Sequence, residues 1–278
     1  MMNNINTQFH YVQYESGLWK KTDSEIITES AISLTVNGEF WLTFMCTPVD
    51  LEALAVGFLY NEGIITSKDE IASVYLCATG DNIDVWLYHP VQQPEKWKRT
   101  SGCTGGFTSV ELKITQNYLQ HPTNDNGVVL NPSDISNLVD QLLKSQNMYR
   151  RTGGVHTSGL CEGNKIILIA EDIGRHNTLD KIAGLCLLKE LNYTNEVIVT
   201  TGRISSEMLQ KSARLGASIV ISRTSPSSLS IQLAESFGIT LIGYARRDQF
   251  RVYTHPQRII KSMESQPNQV SSFKNSAT

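Results

Sequence analysis

The chain has 278 residues, of which 40% are hydrophobic and 18% charged, and a formal net charge of −3. That content supports one large folded domain or two modest ones, and the slight acidic balance excludes a global basic field for nucleic acid or an anionic membrane, so any anion site must be local. No stretch reaches the ~20 apolar residues needed to span a bilayer, and Met1–His10 lacks the basic flank and apolar run of a signal peptide, so a cytoplasmic protein without membrane or nucleic-acid partners is expected.

The first 120 residues read as an α+β domain with hairpins. Their apolar residues alternate with the period of strands, and Asn37-Gly38 between Ser33–Val36 and Glu39–Cys46 predicts a tight hairpin turn. A helix is expected over Asp50–Tyr60, where Leu51, Leu54, Ala55 and Phe58 recur at helical spacing. Asp50 is its expected cap and Gly63 its stop. Strands over Ser73–Cys77 and Asn82–Tyr88 then lead to the glycine-rich loop Thr100–Gly106, a short helix is expected over Ser109–Leu119, and His121–Asn131 reads as a linker.

The second domain, residues 121–262, is expected to be layered α/β, and the polar tail 263–278 to be disordered. Its first helix starts at Pro132 and aligns Ile135, Leu138, Val139, Leu142 and Leu143 on one face. Apolar runs at Ile166–Ala170, Val197–Thr200, Ile219–Ser222 and Ile239–Tyr244 read as buried strands, with helices starting near Asn177, Ser205 and Ser225.

Each of these strands ends in a polar turn that carries arginine. The first turn holds Glu171, Asp172, Arg175 and His176; the second, Thr201, Arg203 and Ser205; the third, Arg223 and Ser225; the fourth, Tyr244, Ala245, Arg246, Arg247, Asp248 and Gln249. If the strands run parallel, all four turns share one edge, the edge at which open α/β sheets bind ligands. Guanidinium forks there would grip phosphates, and Ser225-Pro226 is expected to open a helix toward the ligand. Glu171 and Asp172 read either as an acid-base pair or, more simply, as salt-bridge partners of Arg175.

Five cysteines at irregular spacing fit reduced thiols better than a disulfide framework. Cys46 and Cys186 sit in apolar surroundings and read as core, whereas Cys161, near Gly159 and Gly163, reads as exposed. Cys103 lies between Gly102 and Thr104-Gly105-Gly106, downstream of Lys96, Lys98 and Arg99. Cationic neighbours favour the nucleophilic thiolate, so Cys103 is the candidate reactive cysteine, with an ordinary flexible turn as the alternative.

Four segments carry a family resemblance: Thr152–His156, Glu171–Asn177 with Asp180-Lys181, Thr201–Ser205 with Glu207-Met208, and Tyr253–Arg258. In order and spacing they resemble the FdhD family of formate dehydrogenase accessory sulfurtransferases. The resemblance implies a cytidine-deaminase-like second domain, a homodimer, and a sulfur carrier. Such a carrier takes sulfur from a cysteine desulfurase as a persulfide on Cys103 and passes it to Mo-bis(molybdopterin guanine dinucleotide) for formate dehydrogenase. It also places cofactor binding on Tyr244–Gln249. Family members commonly carry two cysteines in the reactive loop, separated by two residues. Here the second place is Gly106, so intraloop disulfide chemistry is not expected of this chain.

Two rivals remain at this point. A zinc deaminase would need a His-x-Glu with a later Pro-Cys-x-x-Cys, but His156 precedes Thr157-Ser158 and no Cys-x-x-Cys occurs, so no zinc is expected. His156 is then read as orienting a loop or touching ligand. A molybdenum cofactor chaperone that performs no sulfur transfer is the other alternative.

Overall fold

The computed structural model describes residues 6–94, 97–99, 107–109, 128–191 and 196–260, the short pieces 97–99 and 107–109 by their backbone. A long antiparallel hairpin leads, β1 (Asn6–Glu15) paired with β2 (Leu18–Ile27). Next comes a four-stranded sheet of order β4-β3-β6-β5, built from β3 (Ser30–Val36), β4 (Glu39–Cys46), β5 (Ile71–Leu76) and β6 (Asn82–Leu87). The expected turn joins β3 to β4, with Asn37 and Gly38 both at positive φ (51° and 82°), as a two-residue hairpin loop of this hand requires.

Helix α1 (Leu51–Asn61) covers one face of this sheet. Asp50 does occupy its N-cap position, but with a left-handed backbone (φ 49°, ψ 42°) and no capping hydrogen bond from its side chain, which corrects the expected role. The stop is as expected, because Gly63 takes φ +75° just beyond the C-cap. Two short strands, β7 (Trp97–Arg99) and β8 (Phe107–Ser109), pair antiparallel with Arg99 opposite Phe107. Cys103, the rest of the Thr100–Gly106 loop, most of the Ser109–Leu119 segment, residues 121–127 and the tail lie outside the described residues.

The larger sheet has six strands in the order β10-β9-β11-β12-β13-β14. These are β9 (His156–Glu162), β10 (Lys165–Asp172), β11 (Glu196–Thr200), β12 (Ala217–Ser222), β13 (Thr240–Gly243) and β14 (Arg251–Val252). β11, β12 and β13 are mutually parallel, while β9 runs antiparallel to both β10 and β11, so β10 points the same way as the parallel three. The four expected strands are therefore co-directional. The sequence reading missed β9, which is inserted between the first and second of them.

Helix α2 (Pro132–Lys144) packs Ile135, Leu138, Val139 and Leu142 on one face of this sheet, with Leu143 partly buried beside them. The short α3 (Asn147–Thr152) follows. On the opposite face lie α4 (Arg175–Leu188), α5 (Ser206–Arg214) and α6 (Ser228–Phe237). The start of α6 corrects the reading of Ser225-Pro226: Ser227 is the N-cap and accepts the Ser230 N–H, and Pro226 instead forms a bridge with Ile204. No helix among the described residues is long and apolar enough to cross a membrane.

The two sheets are joined through α1 against α4. Glycine permits the contact: a Cβ on Gly57 would run into the Asp180 carbonyl, and one on Gly184 into the carbonyl of Ala53. Backbone cannot yield as a flexible side-chain end can. Gly57→Ala is therefore expected to destabilise the chain by about 3 kcal/mol, the upper end of overpacking costs, measured by urea denaturation; an unchanged midpoint would show that the helices can move apart cheaply.

Candidate functional site

The carboxyl ends of β10, β11, β12 and β13 meet at one edge, and the amino end of antiparallel β9 brings His156 to the same edge. Backbone bonds stitch consecutive turns together. Arg223 N–H donates to the Thr200 carbonyl, Thr201 N–H to Thr157, Ile204 N–H to Ser225, Tyr244 N–H to Thr224 and Ala245 N–H to Ser222. The rim is thus one connected surface, and its spread from β10 to β13 is roughly 19 Å at four strand spacings.

Asp172 organises the first turn. Its carboxylate, fully buried, accepts Thr47 N–H (3.0 Å), Gly174 N–H (2.7 Å) and Asn177 Nδ2 (2.9 Å), and it pairs with the equally buried Lys181 (2.6 Å). Glu171 accepts the N–H groups of Met148 (2.8 Å) and Tyr149 (3.1 Å), which opens α3. The expected pairing with Arg175 is corrected on both counts: Asp172 takes Lys181, and Glu171 caps a helix. Arg175 itself is buried in the first turn of α4, and Gly202 admits it, since a Cβ there would sit 3.0 Å from the Arg175 Cβ.

His176 is also buried. Its Nε2 lies 3.2 Å from Glu207 and 3.3 Å from the Ser205 hydroxyl, which caps α5 by accepting the Met208 N–H. Burial pushes the His176 pKa down, against the pull of Glu207. His156, half-buried, contacts Thr201 Oγ1 at 3.4 Å. Burial lowers its pKa as well, assisted by Arg175, His176 and Arg203, with Asp172 opposing. Both imidazoles are thereby biased toward the neutral form.

Of the remaining expected residues, Arg203, Arg246, Arg247, Asp248 and Gln249 are exposed, while Arg223, Ser225 and Tyr244 are half-buried and Ala245 is buried. Tyr244 adopts φ 52° and its ring lies 4.3 Å beneath the Arg251 guanidinium. Arg247 reaches Asp140 at 3.7 Å, an exposed pair worth little in energy. Arg246 N–H closes the turn onto the Gln249 carbonyl (2.8 Å).

A cleft of about 400 Å³ opens on this rim between α3 and the strand ends, lined among others by Gln146, Tyr149, His156, Thr201 and Arg223. Gln146, Tyr149 and Thr201 were not singled out as ligand contacts from the sequence. The available signal was the Thr152-Gly153-Gly154-Val155-His156 segment, whose last four residues form the same wall and which packs against the foot of the hairpin, since a Cβ on Gly154 would meet Ile27 at 2.8 Å.

The cysteines divide by environment. Cys46 and Cys186 are core, as expected, with thiols pushed up to about 12 chiefly by burial. Cys161 corrects the reading, because it is fully buried on β9 and burial drives its pKa far above the ordinary value. Cys77 is half-buried and accepts the Asn82 N–H at 3.1 Å.

Fold and rim together define an α/β protein whose site is assembled from the turns at the carboxyl edge of its six-stranded sheet. The model of the FdhD/NarQ family matches residues 27–260. "Sulfur carrier protein FdhD" of Bacillus licheniformis is 37% identical over 261 residues, spanning 93% of this chain and 99% of that relative. Its Bacillus subtilis counterpart is 37% identical over 249 residues, 89% of this chain and 95% of the relative. A solved structure from Desulfotalea psychrophila, described as a candidate formate dehydrogenase accessory protein, superposes with a TM-score of 0.74 at 30% identity, covering 92% of this chain and all of that one. The chain belongs to the FdhD/NarQ family.

The depressed pKa of His176 has a defined pH signature. The unfolded state takes up its proton near the ordinary value of 6.5, whereas the folded state resists protonation until lower pH. The neutral imidazole's contribution is therefore complete above that value and is lost as pH falls toward the folded pKa. Melting temperature should drop as pH falls below the ordinary imidazole value of 6.5, and His176→Gln should flatten that part of the profile; an identical profile in the variant would contradict the assignment.

Proposed function

We propose that this chain is a sulfur carrier that serves formate dehydrogenase. The observation that carries the reading is family membership joined to a rim on which Arg175, His176, Arg203, Ser205, Arg223, Ser225 and Tyr244–Gln249 occupy one sheet edge. A cytidine-deaminase-like arrangement of the second half and a homodimer belong to the same proposal.

The substrate would be Mo-bis(molybdopterin guanine dinucleotide). Its two pyrophosphates suit guanidinium groups at strand ends, where bidentate bonds hold phosphate oxygens with fixed geometry. A ligand of that length matches a rim roughly 19 Å wide better than a mononucleotide does. The exposed Arg203 and Arg246 are available to it, while Ser205 and His176 have structural partners and would contribute mainly by shaping the turn.

Cys103 would carry the sulfur. Its thiolate attacks the terminal sulfur of a desulfurase persulfide, so that one S–S bond forms as the donor's S–S bond breaks and the donor cysteine leaves as a thiolate. The buried Cys46, Cys161 and Cys186 are poor competitors, since their raised pKa values keep them as thiols. With Gly106 in the second loop position, no resolving cysteine lies beside Cys103 to divert the persulfide into a disulfide.

After incubation with a cysteine desulfurase and cysteine, mass spectrometry should find one added sulfur on Cys103. Cys103→Ser should lose that sulfur and fail to activate formate dehydrogenase, while binding the cofactor as the parent does. Activation by the serine variant would remove the carrier role and favour a chaperone. Arg246→Ala should weaken guanine-nucleotide binding by about tenfold, in line with the loss of one charge-assisted contact, yet still acquire the persulfide; unchanged affinity would count against the rim.

A further inference from the structure

The four-stranded sheet has two unlike faces. Ile32, Leu34, Phe44, Ile83 and Val85 pack into the core beneath α1, while the alternate residues point away from the helix. On that outer face Phe40, Tyr75 and Trp86 are 60%, 62% and 45% exposed, and Tyr88, which follows Trp86 on the same side, is 75% exposed. Strand pairing sets them close together. Phe40 lies opposite Thr35, Thr35 opposite Asp84 and Asp84 opposite Tyr75, which makes one row across all four strands. Neighbouring strands lie ~4.8 Å apart, so the row spans roughly 14 Å.

An acid sits in the middle of this row. Glu39 and Asp84 are the only charged residues in β3, β4, β5 and β6, so these strands bring no cation to the face. Asp84 Oδ2 accepts the Trp86 Nε1–H at 2.9 Å, whereas its Oδ1 is shut off from solvent and makes no hydrogen bond among the described residues. A charged acceptor left in that state is costly, and a cationic donor would relieve it. The Trp86 ring rests against the β3–β4 turn, where a Cβ on Gly38 would stand 3.5 Å from it. Guanidinium and ammonium groups are attracted to aromatic faces, more strongly once desolvated. The face therefore selects a basic side chain set among apolar neighbours.

The position of the face indicates which protein supplies that side chain. From β6 the chain crosses the turn end of the sheet: Asn37 Nδ2 donates to the His89 carbonyl (3.1 Å), Val91 packs against the core, and Gln93 Nε2 donates to the Trp41 carbonyl (2.7 Å). Cys103 follows Gln93 by ten residues, which limits it to within roughly 36 Å of that anchor. A protein domain ~30 Å across, seated on the face, covers most of that distance. The rim, in contrast, is bonded at Thr47, seven residues along the chain from Phe40 and roughly 23 Å away. A dehydrogenase that collects cofactor must meet the rim, whereas a sulfur donor must meet only the thiol.

We propose that this outer face, centred on Asp84 among Phe40, Tyr75 and Trp86, is the docking surface for the sulfur donor protein. It receives an arginine or lysine of the donor, which pairs with Asp84 and stacks on the neighbouring rings. This rests on the reading of Cys103 as the sulfur acceptor. Docking here holds the donor's persulfide within reach of Cys103 and leaves the rim open.

Sulfur loading of Cys103 by a cysteine desulfurase with cysteine, timed by mass spectrometry well below saturation, tests the surface. The full chain is compared with Tyr75→Ala, Trp86→Ala and Asp84→Asn, each checked by thermal melting. Inorganic polysulfide, which reaches the thiol without docking, loads the same proteins in parallel. Tyr75→Ala and Trp86→Ala should slow desulfurase loading by roughly tenfold, the loss typical of an interface anchor. Asp84→Asn should slow it and flatten its dependence on salt, and polysulfide loading should match the parent throughout. Parent rates in folded Tyr75→Ala and Trp86→Ala would overturn the docking surface and leave the carrier standing. If those variants then failed to activate formate dehydrogenase, or dissociated a dimer in sedimentation, the face would belong to the dehydrogenase or to a second copy instead. Equal slowing with polysulfide would put the defect at the thiol and also overturn the proposal. A parent loaded by polysulfide and not by the desulfurase would remove the docking surface alone, and a parent loaded by neither would remove the carrier role with it.

Discussion

The buried pair between Asp172 and Lys181 holds the two halves of this chain in register. Lys181 Nζ donates to the carbonyls of Thr47 and Glu171 as well as to Asp172, and Asp172 accepts from Thr47, Gly174 and Asn177. Two ions without solvent contact are tolerated only when each is fully engaged, and here the lysine makes three contacts and the carboxylate four. A hydrophobic replacement of such a pair can be neutral for stability, whereas removal of one partner typically costs about 3–5 kcal/mol. What the pair supplies is direction: the end of β4, the end of β10 and the start of α4 are fixed to one another.

The rest of the rim follows from that anchor. With the start of α4 set, Arg175 fits beneath Gly202 and His176 reaches Ser205 and Glu207, which fixes the turn after β11. That turn bonds the one after β12 through Ile204 and Ser225, and the turn after β12 bonds the one after β13 through Thr224 and Tyr244. A chain of local contacts thus aligns four arginine-bearing turns. Glu171, next to Asp172, extends the same control to α3 and the cleft wall.

Much of this was legible in the sequence because it was written in local apolar pattern. The runs Ile166–Ala170, Val197–Thr200 and Ile219–Ser222 announced their strands, and Asn37-Gly38 its hairpin. β9 was hidden because two of its buried side chains are polar: Thr157 contacts Gln146, and Ser158 hydrogen-bonds Thr178 and Thr200, partners distant in sequence. The same strand explains the misread Cys161, whose glycine neighbours give no hint of the packing above it. The cap of α3 comes from Glu171, more than twenty residues away, and Pro226 is claimed by Ile204 instead of a helix start. In each case a non-local partner outweighed the local signal.

The candidate site was legible to a similar degree. The repeated arginines located the rim, since residues that end co-directional strands must share an edge whatever their chain separation. The cleft was not legible, because Tyr149 belongs to a helix too short to show periodicity and Gln146 is only the residue that precedes it. The most direct measurement is a sulfur-label chase. Cys103 is loaded with radiolabelled persulfide, the guanine dinucleotide cofactor is added, and the label is followed in the parent chain and in an Arg203→Ala, Arg246→Ala double variant. The account predicts that label leaves Cys103 for the cofactor in the parent and stays on the protein in the variant. Equal transfer by both, or none by the parent, would contradict it.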